Sequence, residues 1–187
     1  MSSKGVFDLT FVSLRERSKS LNILAVILVV FIIANLVFIW LNSAKVATSS
    51  NKQSTKLAET IVKKTTKNYD KLPKSEQQKK ISSTNNKIRS FAHFAEFVPL
   101  GFFVFFLMLN LFYDKGRYKL LLKCILLSLI VCMLSALSDE IHQIFIKGRA
   151  FEVKDLLVDS CGSLLGILFG TFVCYVKTLI QNKKCTL

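Results

Sequence analysis

Six ionisable residues stand near the ends of long apolar segments, where charged side chains are rare. They are His93, Glu96, Asp139, Glu140, His142 and Asp159. A charge at membrane depth costs roughly 2.5 kcal/mol or more, so acids and imidazoles retained there are candidates for a functional site. Carboxylates beside imidazoles can transfer protons, bind a metal or orient a polar ligand. These residue types predict a polar site but do not specify a reaction.

The first group of candidates lies in the stretch Arg89-Ser-Phe-Ala-His93-Phe-Ala-Glu96. Positions 89, 93 and 96 are spaced i, i+4 and i+7, so a helix places all three on one face. Arg89 can extend toward the membrane interface, whereas Glu96 lies deeper and needs a partner or a proton. The alternative interpretation is a helix-end charge cluster that lipid headgroups solvate.

The second group ends the next apolar segment and includes Ser138, Asp139, Glu140 and His142. Asp139 and His142 are i, i+3 neighbours, which predicts a carboxylate beside this imidazole. Such a carboxylate would fix the tautomer of His142 and raise its basicity. Arg149 follows in a short loop, where its planar guanidinium could bind a carboxylate or a phosphate.

The third group opens the last apolar segment, where Asp155 and Asp159 are one helical turn apart. Gly162, Gly166 and Gly170 continue the same stripe at four-residue spacing. Small residues at this spacing let a partner helix approach closely. We expect Gly166 to lie against another helix, and the two acids to face protein rather than lipid.

Apolar blocks dominate the chain and set the fold class. The 187 residues are 51% hydrophobic, with a mean hydropathy of +0.43, which is too apolar for an ordinary soluble domain. The blocks are Leu21–Leu41, Phe91–Tyr113, Leu120–Leu137 and Leu156–Val176, each near the ~20 residues that span a bilayer. The first exceeds the ~7–15 apolar residues of a signal peptide, which favours a retained anchor. The sequence predicts an all-α membrane protein with four transmembrane helices and a short extramembrane helical or loop segment between the first two.

The predicted organisation has five parts: a tail over 1–20, a transmembrane helix over 21–41, a lysine-rich segment over 42–87, a three-helix membrane domain over 88–177 and a tail over 178–187. Basic tails and a basic loop around Lys115 favour a cytoplasmic location for both termini. The 42–87 segment lies on the opposite side and holds eleven lysines, so charge alone does not decide the orientation. Giving more weight to the tails and the compact loop puts the polar site on the outer face. Within 42–87 we expect one or two short, loosely held amphipathic helices.

The net charge of +14 does not indicate a nucleic-acid-binding protein. The lysines lie in loops and tails, where they can meet water or anionic lipid, rather than on an aromatic patch. Four of the five cysteines, Cys124, Cys132, Cys161 and Cys174, lie in apolar segments and the fifth, Cys185, in the tail. Buried cysteines usually pack as small hydrophobic residues, so we expect no disulfide framework.

Three motifs in order resemble the VanZ-like membrane protein family. They are Arg-x-x-x-His-Phe-x-Glu-Phe, Ser-Asp-Glu-x-His-Gln-x-Phe, and Gly-Arg-x-x-x-x-x-Asp-Leu-x-x-Asp-x-x-Gly-x-x-x-Gly. The resemblance extends from about Lys87 to Gly170, and Lys147 stands where such proteins often have proline. It implies a multi-pass protein of the bacterial cytoplasmic membrane, associated with resistance to the lipoglycopeptide teicoplanin. It implies this setting and phenotype rather than a reaction. A lipid-linked cell-wall precursor and the lipoglycopeptide itself are the candidate partners, beside the lipid bilayer.

Three hypotheses agree with the residues. The first is an outer-face site that binds a cell-envelope component, through the residues Arg89, His93, Glu96, Asp139, Glu140, His142, Arg149, Asp155 and Asp159. The second is an intramembrane enzyme acting on a lipid-linked substrate, in which Asp139 orients His142 as the base and Glu96 is the acid. The sequence is compatible with a divalent metal, whose candidate ligands are His93, Glu96, Asp139 and His142. The third hypothesis is a polar network that only holds three helices together.

Overall fold

The structure is a computed structural model that describes residues 17–44, 47–112 and 117–184. The described chain forms five α-helices: α1 Arg17–Ser43, α2 Ala47–Thr65, α3 Lys74–Phe112, α4 Arg117–Ile144 and α5 Val153–Lys184. A short 3-10 helix, Tyr69–Lys71, connects α2 to α3. These ranges contain no strand. Most of the amino-terminal tail, Lys115 and Cys185 lie outside the described residues.

Four of the helices are long and apolar enough to cross a membrane, which confirms the predicted fold class. The candidate spans are Asn22–Ser43, Lys74–Phe112, Leu120–Ile144 and Val153–Ile180. Helix α3 begins well before its apolar block, because the polar residues 74–87 continue the same helix. Its 39 residues make a rod about 58 Å long, roughly twice the ~30 Å hydrocarbon core. Its amino-terminal part therefore extends beyond the bilayer.

Helix α2 packs along this extension of α3. Ala58, Val62 and Tyr69 are buried in the contact, and Gln77 Nε2 donates hydrogen bonds to the carbonyls of Tyr69, at 3.2 Å, and Leu72, at 2.9 Å. The lysine-rich segment therefore forms a helical hairpin rather than the short, loosely held helices expected from its sequence. The apolar residues of α2 are too sparse to predict a 19-residue helix on their own.

Helices α3 and α5 form the most extensive contact of the bundle. A Cβ atom at Gly162 would collide with the carbonyl oxygen of Phe94, and one at Gly166 with that of Val98. On the facing helix, a Cβ atom at Gly101 would meet the Ser163 carbonyl. The prediction that Gly166 lies against another helix is confirmed, because only glycine permits backbones to approach this closely.

The four spans bring their polar ends together at one end of the bundle. One buried apolar cluster joins three of the helices. It contains residue 39 of α1, residues 97–104 of α3 and residues 132–136 of α4, and it fixes the relative heights of these helices. Successive spans alternate in direction, so the carboxyl ends of α1 and α4 meet the amino-terminal end of α5 and the middle of α3. The candidate site lies next to this apolar cluster, at the end of the bundle where the polar residues meet.

Candidate functional site

Five carboxylates and one imidazole meet in the interior of the bundle. We call these six residues the polar cluster: His93, Glu96, Asp139, Glu140, Asp155 and Asp159. Asp139, Glu140 and Asp159 are completely buried, whereas Asp155 and His93 are 6% and 8% exposed. Burial of this kind is rare for acids unless they are paired or bind a cation.

His93 on α3 is central to the polar cluster and contacts two acids of α5. Its Nδ1 atom lies 3.5 Å from Oδ1 of Asp159, and its Nε2 atom lies 4.0 Å from Oδ2 of Asp155. Because Asp155 and Asp159 are one helical turn apart on α5, one carboxylate lies near each ring nitrogen of His93. The close glycine-mediated contact of α3 with α5 makes this arrangement possible, because bulkier residues would separate the helices.

Helix α1 supplies two hydrogen-bond donors to the polar cluster. Asn42 Nδ2 donates to Oε1 of Glu96 at 2.8 Å, and Ser43 Oγ donates to Oδ2 of Asp139 at 2.8 Å. The sequence reasoning missed both residues, because an Asn-Ser pair after an apolar block is typical of any helix end. Their position in the last turn of a membrane span is the feature of the sequence that could have indicated them.

Gln143 on α4 connects the polar cluster to the loop before α5. Its Nε2 atom donates to Asp139 Oδ2 and to Glu140 Oε1, both at 3.0 Å. Its Oε1 atom accepts from Arg149 Nη1 at 3.2 Å. The backbone N–H of Glu152 donates to the second oxygen of Glu140 at 2.8 Å. Glu140 therefore has a partner on each oxygen and anchors the loop, whereas Gln143 was absent from the predicted site.

Two arginines add positive charge at the edge of the polar cluster. Burial, and after it the charge of Arg89, lower the pKa of Arg149 below its ordinary value. The guanidinium remains charged at neutral pH because it titrates far above it. The carboxylates of Asp139, Glu140 and Asp155 act on Arg149 in the opposite direction. The two cations and the acids are therefore within electrostatic range of one another.

Several buried polar atoms of the polar cluster have no hydrogen-bond partner. They include Nδ1 of His93, Oδ1 of Asp139 and both carboxylate oxygens of Asp159. Leaving a buried polar group unsatisfied costs about 1–3 kcal/mol, and more for a charged group. His93, Asp139 and Asp159 can each bring one ligand atom to within 4.8 Å of the others. This arrangement can accept a cation, a proton or a ligand that carries donors.

The structure places His142 outside the polar cluster. Its ring stacks on Trp40 with centroids 5.2 Å apart, and its Nδ1 atom has no hydrogen-bond partner. It has no hydrogen bond or ion pair with Asp139 among the described residues, because Asp139 interacts with Ser43 and Gln143 instead. The predicted pairing of Asp139 with His142 is therefore not formed, and the His142 ring faces Trp40 instead.

His142 lines an apolar groove between α1 and α4, which we call the α1–α4 groove. The groove has a volume of about 700 Å³. It is lined by Ile33, Leu36, Val37, Trp40, Leu41, Ala44, Val131, Leu134, Ser135, Ser138 and His142. The polar groups of this lining are two serine hydroxyls, the imidazole of His142 and the indole N–H of Trp40. Such a lining at the depth of a membrane span suits an acyl chain better than a polar molecule.

Of the nine predicted ligand-binding residues, the structure brings six into the polar cluster, puts the arginines at its edge and separates His142 from it. The family comparison agrees with the sequence resemblance. The family model VanZ/LLP1 matches residues 25–174. The chain belongs to the VanZ/LLP1 family. The match includes most of α1 and the whole helical hairpin, so the family domain is wider than the 87–170 region in which the motifs were recognised.

Neither the curated proteins nor the solved structures gave a significant match to this VanZ/LLP1 chain. The family match and the geometry of the polar cluster are therefore the two observations from which a function can be inferred. Asn42 and Ser43 lie within the matched range, as do all six residues of the polar cluster.

Proposed function

We propose that this VanZ/LLP1 protein binds a component of the bacterial cell envelope through the polar cluster, and that this binding protects against teicoplanin. The observation that supports the proposal best is the incomplete hydrogen bonding of the polar cluster. Both oxygens of the fully buried Asp159 lack a hydrogen bond. In folded proteins most buried polar groups are paired, so unpaired ones invite an explanation such as a missing ligand.

The ligand that suits this site has a polar, partly anionic head and an apolar tail. Arg89 and Arg149 offer positive charge for a phosphate or carboxylate, while the buried acids accept hydrogen bonds from hydroxyl, amide or ammonium groups. The α1–α4 groove lies beside the carboxyl-terminal turn of α4 and offers an apolar surface for a tail. A lipid-linked cell-wall precursor has this chemistry, and so does a lipoglycopeptide.

We place the polar cluster at the outer face of the cytoplasmic membrane, with both termini inside. The tails and the short loop between α3 and α4 are basic, which favours the cytoplasmic side. The helical hairpin of α2 and α3 would then lie outside and cover the polar cluster. An extracytoplasmic location would also give the site access to wall precursors.

An intramembrane enzyme acting on a lipid-linked substrate is the second candidate. The convergence of His93, Asp139 and Asp159 favours it, because an imidazole and two carboxylates can hold a metal that activates water. In this second candidate function His93 takes the place of His142, because His93 is the histidine that lies near carboxylates. Both candidates require the acids of the polar cluster for function and not only for folding.

The test of the proposal uses substitutions that preserve side-chain volume. In a teicoplanin-sensitised host that the wild-type protein protects, we expect Glu96→Gln and Asp139→Asn to reach the membrane at normal abundance and to give no protection. Amides keep the size of the side chains but lose the negative charge that the site needs. The measurements are the minimal inhibitory concentration of teicoplanin and the membrane abundance of each variant.

The matched controls are Glu76→Gln and Asp70→Asn, which make the same chemical changes at exposed positions of the helical hairpin. Both controls should protect as the wild type does. Full protection by Glu96→Gln and Asp139→Asn would show that these carboxylates are structural, and the proposed function would then fail.

A further inference from the structure

We propose that the polar cluster contains a binding site for one divalent first-row transition metal ion, with Nδ1 of His93 and carboxylate oxygens of Asp139 and Asp159 as ligands. The metal site deepens the proposed function. The role of the ion in binding an envelope component rests on that function. It also narrows the ligand set expected from the sequence, because Asp159 replaces Glu96 and His142.

The three side chains converge from three different helices. His93 comes from α3, Asp139 from α4 and Asp159 from α5, and their ligand atoms all lie within 4.8 Å of one another. Three ligands at about 2.1 Å from one metal ion are about 3.4–3.6 Å apart. The longest separation would therefore have to close by up to about 1.3 Å, which rotations of two side chains can supply.

The atoms that would bind the metal are those without other partners. Nδ1 of His93, Oδ1 of Asp139 and both oxygens of Asp159 have no hydrogen bond. The side chain of Asp159 is fully buried and that of His93 is 10% exposed. The lack of hydrogen bonds at these atoms does not follow from the number of acids, because Glu140 is equally buried and yet has a partner on each oxygen.

The neighbouring residues orient the ligands as outer-shell partners do in metal sites. Ser43 and Gln143 donate to Oδ2 of Asp139, which leaves Oδ1 available to the metal. Asp155 lies 4.0 Å from Nε2 of His93, on the other side of the ring from the contact of Nδ1 with Asp159, so a proton on Nε2 would face this carboxylate when Nδ1 binds the metal. A carboxylate, an imidazole and a metal in line form a recurrent arrangement that raises ligand basicity.

Charge and ligand type indicate which ions suit the site. The polar cluster has five carboxylates, and a divalent cation would offset part of their mutual repulsion. One imidazole with two carboxylates suits Zn²⁺, Mn²⁺ or Fe²⁺ better than Mg²⁺ or Ca²⁺, which prefer oxygen ligands alone. Three protein ligands leave a coordination position for water or for an oxygen of the envelope ligand.

The experiment measures metal content of the full-length chain. Protein purified in detergent without a histidine tag is stripped with EDTA, incubated with ZnCl₂ or MnCl₂, desalted and analysed by mass spectrometry of the metal. We expect the wild type to retain about one ion per chain with one of these salts, and Asp159→Asn and His93→Gln to retain at least about tenfold less. The matched control is His142→Gln, which changes the other histidine and should retain as much as the wild type.

A second measurement does not depend on the variants. Metal that binds only the folded protein raises its melting temperature, so the stripped wild type should gain stability when the same salt is added. Absence of both retained metal and a thermal shift in the wild type would overturn the proposal. Equal metal content in the wild type, Asp159→Asn and His93→Gln would overturn it too, since the metal would then be bound elsewhere.

The results also separate this proposal from the proposed function. A metal-free wild type combined with loss of protection in Asp139→Asn would refute the metal and leave the envelope-binding function standing. Bound metal combined with full protection by Asp139→Asn would support the metal site and refute the function.

Discussion

At the scale of single residues, two buried aspartates of the polar cluster differ in how the protein supports them. Asp139 accepts hydrogen bonds from Ser43 and Gln143 on one oxygen, whereas neither oxygen of Asp159 accepts one. Asp139 is therefore oriented by the fold, while Asp159 is held only by its helix and by its electrostatic contact with His93. The two residues should respond differently to mutation.

Removing the donor to Asp139 should destabilise the protein. Ser43 is buried, and a hydrogen bond to a charged group contributes about 1.5–3 kcal/mol, so we expect Ser43→Ala to lower the melting temperature in detergent by several degrees. Ser135→Ala is the matched control, because its hydroxyl only donates to a carbonyl of its own helix. Equal melting temperatures of Ser43→Ala and the wild type would mean that the contact of α1 with Asp139 contributes nothing to stability.

The sequence predicted all six residues of the polar cluster but not their pairing. Helical spacing placed His93 and Glu96 on one face correctly, because that relation is local to α3. The partners of Asp139 depend on the rotation of α4 against α1 and α3, which spacing within one helix does not contain. Thus His142, its i+3 neighbour, faces the α1–α4 groove, while Ser43, distant in sequence, donates the hydrogen bond.

At the scale of helices, hydropathy predicted the four spans, because each apolar block is long enough to cross a bilayer. It did not predict the amino-terminal extension of α3, where polar residues 74–87 continue the helix and pack against α2. The tertiary contact of α2 with α3 stabilises this stretch, and such contacts override local composition. The glycine stripe of α5 was recognisable because small residues at four-residue spacing have a direct packing consequence.

The contact between α3 and α5 leaves no room for a side chain at Gly166. A Cβ atom there would collide with the backbone of α3, so we expect Gly166→Ala to reduce the folded fraction in detergent, and Gly166→Leu to reduce it further. The measurement is the monodisperse fraction by size-exclusion chromatography. Cys161→Leu is the matched control, because Cys161 lies on the exposed side of the same helix. A normal elution profile for Gly166→Leu would contradict this helix pairing.

At the scale of the whole molecule, the orientation in the membrane decides which compartment the polar cluster faces. In a cysteine-free variant, we expect a cysteine at Lys67 to react with an impermeant thiol reagent on intact cells and one at Lys115 to be protected. Lys67 lies in the exposed turn after α2, and the proposed orientation puts it outside. The opposite labelling pattern would place the polar cluster on the cytoplasmic side and remove its access to wall precursors.

We infer that the acids of the polar cluster are retained for a ligand rather than for the fold. Four buried carboxylates and the half-buried Glu96 repel one another when no cation is bound. Asp159 has no hydrogen bond to lose, and its one close polar contact is with His93 at 3.5 Å. Replacing Asp159 with asparagine removes one negative charge at constant volume, so in metal-free protein it should relieve repulsion.

The most direct measurement is the melting temperature of Asp159→Asn against the wild type in detergent with EDTA, with Asp70→Asn as the exposed control. We expect Asp159→Asn to melt about 2–4 °C higher than the wild type, the shift that corresponds to about 1 kcal/mol in a chain of this length. Asp70→Asn should leave the melting temperature unchanged. A lower melting temperature for Asp159→Asn would show instead that this carboxylate stabilises the folded bundle without any ligand, and that it is retained for the fold.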